Sequence, residues 1–164
     1  MSDFIERLPK TNAATSLEVY RAIIYDRESN GLLMVKRSIK DTYLPGYYEF
    51  PGGKVDPGED GITTLRREIE EETGLIIEPL AESVQQSEIY VERKPIVSGF
   101  HKGLEHVSYF IVSRVVSGEF MLSHEHDDYV WDHVTQAPTR GPVVRNSSTA
   151  LEKFQNLWAL SNTK

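Results

Sequence analysis

Glu68, Glu71 and Glu72 stand three and four residues apart within Arg66-Arg67-Glu68-Ile69-Glu70-Glu71-Glu72. On a helix that spacing sends the three carboxylates to one face, where they converge on a common point. Like charges so placed destabilise an isolated helix by about 0.2–0.5 kcal/mol per pair, and Glu70 adds to the repulsion. Arg66 and Arg67 relieve part of it. An oxygen-only cluster of this kind suits a hard divalent cation, magnesium above all, which is commonly shared between carboxylates and substrate phosphates. The same run also describes an acidic, solvated helix face, so the flanking sequence must decide between the two.

The element carrying these acids is sharply bounded. Ile62, Leu65 and Ile69 form one apolar stripe, and Gly74 is a C-terminal stop, which predicts a helix over Asp60–Glu72. Before it, Leu44–Gly58 holds Pro45, Gly46, Pro51, Gly52, Gly53, Pro57 and Gly58. Proline removes donors and glycine costs backbone entropy, so this stretch reads as a shaped loop. Within it Gly52 and Gly53 allow backbone to approach a ligand closely, and Glu59 stands near the helix start.

The remaining elements supply a sheet and a second helix. Leu17, Val19, Ile23 and Ile24, with Tyr20 and Tyr25, read as a buried strand, followed by a turn over Asp26–Gly31. Asn30-Gly31 favours a tight hairpin, so Leu32–Val35 is expected to pair antiparallel with that strand. Further strands are predicted over Ser83–Glu92, His106–Val116 and Tyr129–Val134. Leu151, Phe154, Leu157 and Trp158 predict a C-terminal helix over Ser147–Leu160, capped by Ser147-Ser148. Residues 1–15 are polar and aperiodic and read as a flexible arm, leaving 16–164 as a single α+β domain.

Composition narrows the function classes. The chain has 164 residues, no cysteine and a net charge of -7, which excludes a disulfide framework and thiolate zinc and argues against binding nucleic-acid polymers. An acidic protein acting on phosphates needs a bridging cation. No secretory leader or membrane-length apolar run is visible, so a cytoplasmic setting without membrane attachment is expected. Neither G-x4-G-K-[ST] nor G-x-G-x-x-G occurs, which sets aside P-loop and dinucleotide-fold readings.

Gly53, Glu59, Arg67, Glu68, Ile69, Glu71, Glu72, Gly74 and Leu75 match without a gap G-x5-E-x7-R-E-U-x-E-E-x-G-U, with U aliphatic. This is the signature of the Nudix hydrolase family, and Glu49-Phe50-Pro51-Gly52-Gly53-Lys54 also resembles the approach to that signature in the MutT-like branch. The resemblance implies a Nudix fold, an α-β-α sandwich with a mixed central sheet. It implies hydrolysis of a nucleoside diphosphate linked to a group X, with Mg2+ (or Mn2+) on Glu68, Glu71, Glu72 and the Gly53 carbonyl. Arg67 then orients carboxylates, and the general base is Glu71 or Glu72 or a later loop glutamate. Glu125, six residues before Trp131, is the loop candidate.

Substrate contacts follow from the same resemblance. Arg37 is similar to a phosphate-binding arginine, while an ordinary strand end is its plain alternative. Phe50 and Asn146 fall where base-contacting residues are found, with packing or capping as alternatives. His124 and His126 read as surface histidines, two imidazoles making a poor metal site. Tyr90 and Pro95 read as strand and turn residues. Glu105 stands where a MutT-like pattern has arginine, so specificity for oxidised guanine does not carry across. A nucleoside triphosphate cleaved to monophosphate and pyrophosphate is the leading expectation. ADP-ribose or another nucleotide sugar is the alternative, and a silent nucleotide-binding module, monomeric or homodimeric like the enzymes, is a third.

Overall fold

The computed structural model describes residues 15–80, 90–138 and 140–163; the expected arm and most of the predicted strand Ser83–Glu92 lie outside them. In chain order the elements are β1 Ser16–Asp26, β2 Gly31–Arg37, β3 Tyr48–Glu49, β4 Gly52–Lys54, α1 Gly61–Thr73, β5 Leu75–Pro79, β6 Tyr90–Pro95, β7 Glu105–Gly118, β8 His126–His133 and α2 Arg145–Asn162. No helix among the described residues is long and apolar enough to cross a membrane.

β1 is the spine. It runs parallel to β7 from Ser16↔Glu105 to Ile24↔Ser113. Its other edge takes β4 antiparallel at Val19↔Lys54 to Arg21↔Gly52, and beyond that β2. β2 continues into β3 and β8, while β7 carries β5 and β6, both antiparallel. One parallel pair among antiparallel ones makes the sheet mixed. The expected β1–β2 hairpin forms with Asn30 at φ 54°, yet only Tyr25↔Leu32 and Asp26↔Gly31 pair, because β4 and the Pro51 carbonyl take that edge of β1 from Val19 to Ala22.

Side chains alternate across a strand, and that period of two sorts β1 and β7 into two cores. Tyr20, Ala22, Ile24, Val107, Tyr109 and Ile111 meet the Ile62-Leu65-Ile69 stripe of α1. Tyr20 stacks on Tyr109 with ring centroids 4.5 Å apart. Ile23 and Phe110 point the other way, with Ala150, Leu151 and Phe154 of α2. The result is a sheet between two helices, as the resemblance implies.

Several expectations need correction. The Leu44–Gly58 loop contains β3 and β4, whose glycine-rich sequence hides a strand that β1 imposes by backbone pairing. β5 had no counterpart among the predicted strands. β6 extends to Pro95, beyond the predicted end at Glu92. α2 begins at Arg145 with no side-chain cap, and Ser147 is buried inside it, its Oγ accepting the Phe50 N–H at 3.2 Å. A buried N–H elsewhere in the fold outcompetes the local cap.

The end of α1 meets a strict steric condition. Gly74 closes the helix in the left-handed region at φ 70°, donating its N–H to the Glu70 carbonyl at 2.8 Å, and a Cβ there would run into the Glu119 carbonyl. Gly74→Ala is therefore expected to lower the free energy of unfolding by roughly 1–3 kcal/mol, measured by urea titration of wild type and variant.

Candidate active site

The acids of α1 are ordered by what surrounds each of them. Asp60 caps the helix, its Oδ1 accepting the Ile62 and Thr63 N–H groups at 3.0 Å, which fixes where the first turn begins. From that start, position 67 faces the preceding loop. Arg67 becomes the hub of the site: Nε and Nη2 reach Glu59 at 3.1 and 3.0 Å, Nη2 also reaches Asp56 at 3.1 Å, and Nη1 is shared by Glu68 at 3.0 Å and Glu71 at 3.2 Å. Glu59 further accepts the Thr64 hydroxyl at 2.7 Å. These bonds from Arg67 and Thr64 hold the Glu59 carboxyl below the usual range.

Glu68 leans on the glycine loop. A Cβ on Gly53 would collide with its carboxyl group, so the close approach requires glycine at that position. Burial pushes the Glu68 carboxyl up, and Arg67 opposes the shift. Glu71 is exposed, and among the described residues its carboxylate meets the shared Arg67 nitrogen.

Glu72 is different in kind, being 6% exposed. Its Oε2 accepts the Gly52 N–H at 2.8 Å, and its Oε1 lies 3.9 Å from His126 Nε2, too far for a hydrogen bond. Burial pushes its carboxyl well above the usual range, against the pull of Arg21 and the Gly52 N–H. A buried anion with one hydrogen bond and no touching cation is costly, and a hard cation is the species that would compensate it.

The β7–β8 loop hangs from the end of the same helix. Met121 N–H donates to the Thr73 carbonyl and Ser123 N–H to the Glu72 carbonyl, each at 2.8 Å, satisfying carbonyls that a helix terminus leaves open. The exposed Glu125 follows directly, and its charge acts on Glu68. His126 is corrected from a surface residue to a buried one, 8% exposed, with Nδ1 unpartnered. Burial lowers its pKa, which keeps the ring neutral beside Glu72.

The structure thus brings together Gly53, Arg67, Glu68, Glu71 and Glu72, with Glu125 at their edge. Among the described residues no three acids or histidines already surround one point as a finished cage, because Arg67 holds two of the glutamates and Gly52 holds the third. The donor set nonetheless fits a hard divalent cation: carboxylate oxygens, two of them sharing one Arg67 nitrogen, against a glycine whose missing Cβ leaves space for the Glu68 carboxyl group.

The expected substrate contacts fare unevenly. Arg37 is already engaged, with Glu49 at 2.9 Å, Asp41 at 2.8 Å and the Tyr43 carbonyl at 2.8 Å. Phe50 is corrected to a core residue: its ring is 0% exposed and lies edge-on to Phe110 at 6.2 Å. Asn146 donates to Ser108 Oγ at 3.2 Å and leaves Oδ1 buried without a partner, an acceptor unspent by the protein. Glu105 pairs with Arg93 at 3.0 Å on the β6–β7 ribbon. Tyr90 opens β6, in line with its strand reading, whereas Pro95, read as a turn residue, is the last residue of that strand and pairs with Glu105.

Arg21 and Glu49 were not anticipated. Both are charged residues inside apolar strand sequence, Val19-Tyr20-Arg21-Ala22-Ile23 and Tyr47-Tyr48-Glu49-Phe50. Charge at a buried position demands a partner; that anomaly was the available signal. They pair with each other at 3.0 Å.

Comparison with known proteins places this arrangement in a family. The family model described as NUDIX domain matches residues 17–154. An 8-oxo-dGTP diphosphatase from Proteus vulgaris is 34% identical over 59 residues, which are 36% of this chain and 51% of that protein; the match spans about half the length of that curated relative. The crystal structure of a MutT NUDIX hydrolase from Burkholderia pseudomallei superposes with a TM-score of 0.66 at 25% identity, covering 84% of this chain and 97% of that one. An ADP-ribose pyrophosphatase from Streptococcus suis gives 0.58 at 20% identity, covering 90% and 94%, a likeness of fold alone. With the signature intact and the family model matched over most of its length, the chain belongs to the Nudix family.

Proposed function

We propose that this protein hydrolyses the phosphoanhydride of a nucleoside diphosphate linked to X, with a nucleoside triphosphate cut to monophosphate and pyrophosphate as the leading substrate class. The observation that carries this reading is the acidic cluster around Arg67, built against a glycine loop and including the buried, uncompensated carboxylate of Glu72. Glu68, Glu71, Glu72 and the Gly53 carbonyl would hold the cation, Mg2+ or Mn2+. When bound, such a cation neutralises polyphosphate charge and withdraws electrons from the bridging oxygen.

The chain's own residues divide the remaining work. Arg67 orients Glu59, Glu68 and Glu71 through a planar fork that lysine cannot reproduce. Water attacks phosphorus, the bridging P–O bond breaks, and the proton of the attacking water passes to a carboxylate. Glu71 and Glu125 are exposed and are the two carboxylates we assign as candidates to take that proton. Glu72 is buried on the Gly52 N–H and is better suited to ligation. Asn146 Oδ1 lacks a protein partner but is buried, so it can meet a nucleobase donor only if the side chain turns outward from Ser108. Arg37 can turn to phosphate only by leaving Asp41 or Glu49. The Proteus vulgaris relative supports a nucleoside triphosphate, while Glu105, held by Arg93, gives no support to oxidised guanine in particular.

Product analysis tests the reading directly: canonical and oxidised nucleoside triphosphates, ADP-ribose and dinucleoside polyphosphates are incubated with Mg2+ or with chelator. Cation-dependent monophosphate plus pyrophosphate is the expected result. AMP plus ribose phosphate would select a nucleotide-sugar substrate, and no turnover on any of them would point to a binding module. Glu71→Gln should lose most turnover and keep its melting temperature, since it removes an exposed charge and opens no cavity; full cation-dependent activity in that variant would refute the assignment.

Glu72 makes a separate stability prediction. Its folded pKa is raised, so the stability it contributes is present below the ordinary carboxylate range, about pH 4, and is lost as pH rises through the folded value. In chelator, Glu72→Gln should melt above wild type at neutral pH, with the gap closing as pH falls toward that range, while turnover is lost. Thermal melts from pH 4 to 8 check both the sign and the window.

A further inference from the structure

Arg21 lies outside the signature, in the middle of β1 and opposite Gly52 in the β1–β4 register. Its side chain is 14% exposed, and two of its nitrogens are committed: Nη1 donates to the Phe50 carbonyl at 2.8 Å, and Nη2 pairs with Glu49 Oε2 at 3.0 Å. Nε is buried without a partner, so those two contacts set the orientation of the fork. The next residue, Ala22, donates its N–H to the Pro51 carbonyl at 2.9 Å. Glu49, Phe50, Pro51 and Gly52 are thus tied in succession to one short piece of β1.

The end of that tied segment is the N–H that grips Glu72. Gly52 donates to Oε2 at 2.8 Å, which leaves Oε1, 3.9 Å from His126 Nε2, outside hydrogen-bond reach and available to a ligand. A Cβ on Gly52 would meet the Tyr20 carbonyl, so the loop already lies against β1 and has no slack on that side. The backbone pairing of β1 with β4 and the Ala22 N–H hold it together with the side-chain clamp, which fixes the stretch just before Gly52. Arg21 is also a positive charge acting on Glu72 through space. Its partner Glu49 is held from the far side by Arg37 at 2.9 Å, which fixes the anchor against which Arg21 pulls.

We propose that Arg21 is a positioning residue for the cation site: by clamping Glu49 and the Phe50 carbonyl it holds the Gly52 N–H where it presents Glu72 to the metal. This rests on the reading of Glu72 as a cation ligand. Arginine is required because one planar fork must meet a carbonyl and a carboxylate at once, a geometry the single ammonium of lysine cannot match. Partners that orient metal ligands are typically worth about 10–100-fold in metal affinity.

The test is Mn2+ binding to the full-length, metal-free protein, followed by electron paramagnetic resonance, for wild type, Arg21→Met and Arg21→Lys, with thermal melts alongside. Arg21→Met is expected to bind Mn2+ about tenfold or more weakly and to need correspondingly more Mg2+ for half-maximal pyrophosphate release. Its KM for nucleotide at saturating Mg2+ should stay near that of wild type, and Arg21→Lys should recover part of the loss. A folded Arg21→Met protein with wild-type Mn2+ affinity overturns the inference, even if it melts lower. Should Arg21→Met fail to fold, Arg21→Lys decides: weaker Mn2+ binding at an unchanged melting temperature supports the clamp, and unchanged affinity overturns it. Wild-type protein that takes up no Mn2+ would remove the cation reading and this inference together, an outcome distinct from the loss of the clamp alone.

Discussion

A carboxylate withdrawn from water must take up a proton or find compensating charge, and Glu72 is where this molecule meets that requirement. Its position follows from helical geometry. With Ile62, Leu65 and Ile69 committed to the core, residue 72 falls on the flank of α1 that faces the glycine loop. Among the described residues its direct hydrogen bond comes from Gly52. Gly52 is where it is because β4 pairs with β1 and because no side chain intervenes. Behind that pairing stand Arg21, Glu49 and Arg37, a line of charges whose mutual satisfaction lets a polar segment exist between two apolar cores.

Arg67 solves the complementary problem on the exposed side of the helix. Three acids within one turn repel each other, and a fourth, Glu59, sits at the loop exit. One guanidinium bridges Glu59, Glu68 and Glu71 and reaches Asp56 as well. Most of these groups are partly exposed, where a single ion pair is worth little. The value of the hub is therefore geometric more than energetic: a rigid five-donor fork fixes the directions of several carboxylates together. Under the proposed function, the signature residues accordingly split between shaping and chemistry. Gly53 and Gly74 allow close approach, Glu59 and Arg67 orient, and the remaining glutamates present oxygen.

The sheet joins these two solutions. Because β1 is parallel to β7 and antiparallel to β4, a single strand places the glycine loop on one of its edges and, through β7, the β7–β8 loop near the other end of α1. The open carbonyls at the end of α1 then capture that loop, which carries Glu125 toward the acidic cluster. Residues far apart in sequence meet because a helix terminus needs donors and a nearby loop can supply them.

Local periodicity and spacing determined much of this. The acid triplet, its helix, the Gly74 stop, the turn before Gly31 and the buried character of β1 are all consequences of near neighbours along the chain, and they were legible in it; the sorting of β1 side chains between two cores was not. What depended on distant partners was not. A Gly-Gly-Lys stretch becomes a strand only because β1 lies beside it, and Ser147 leaves its capping role because the Phe50 N–H needs an acceptor. Phe50 turns into the core, Arg37 is tied to Glu49 and Asp41, and His126 is buried beside Glu72. Arg21 went unmarked within its strand, and Glu49 entered only as part of the approach to the signature; their pairing needed β1 and β3 brought together. Spacing along a helix sets which groups share a face, whereas burial and pairing are set by what the rest of the chain brings against that face, and only the tertiary structure decides that.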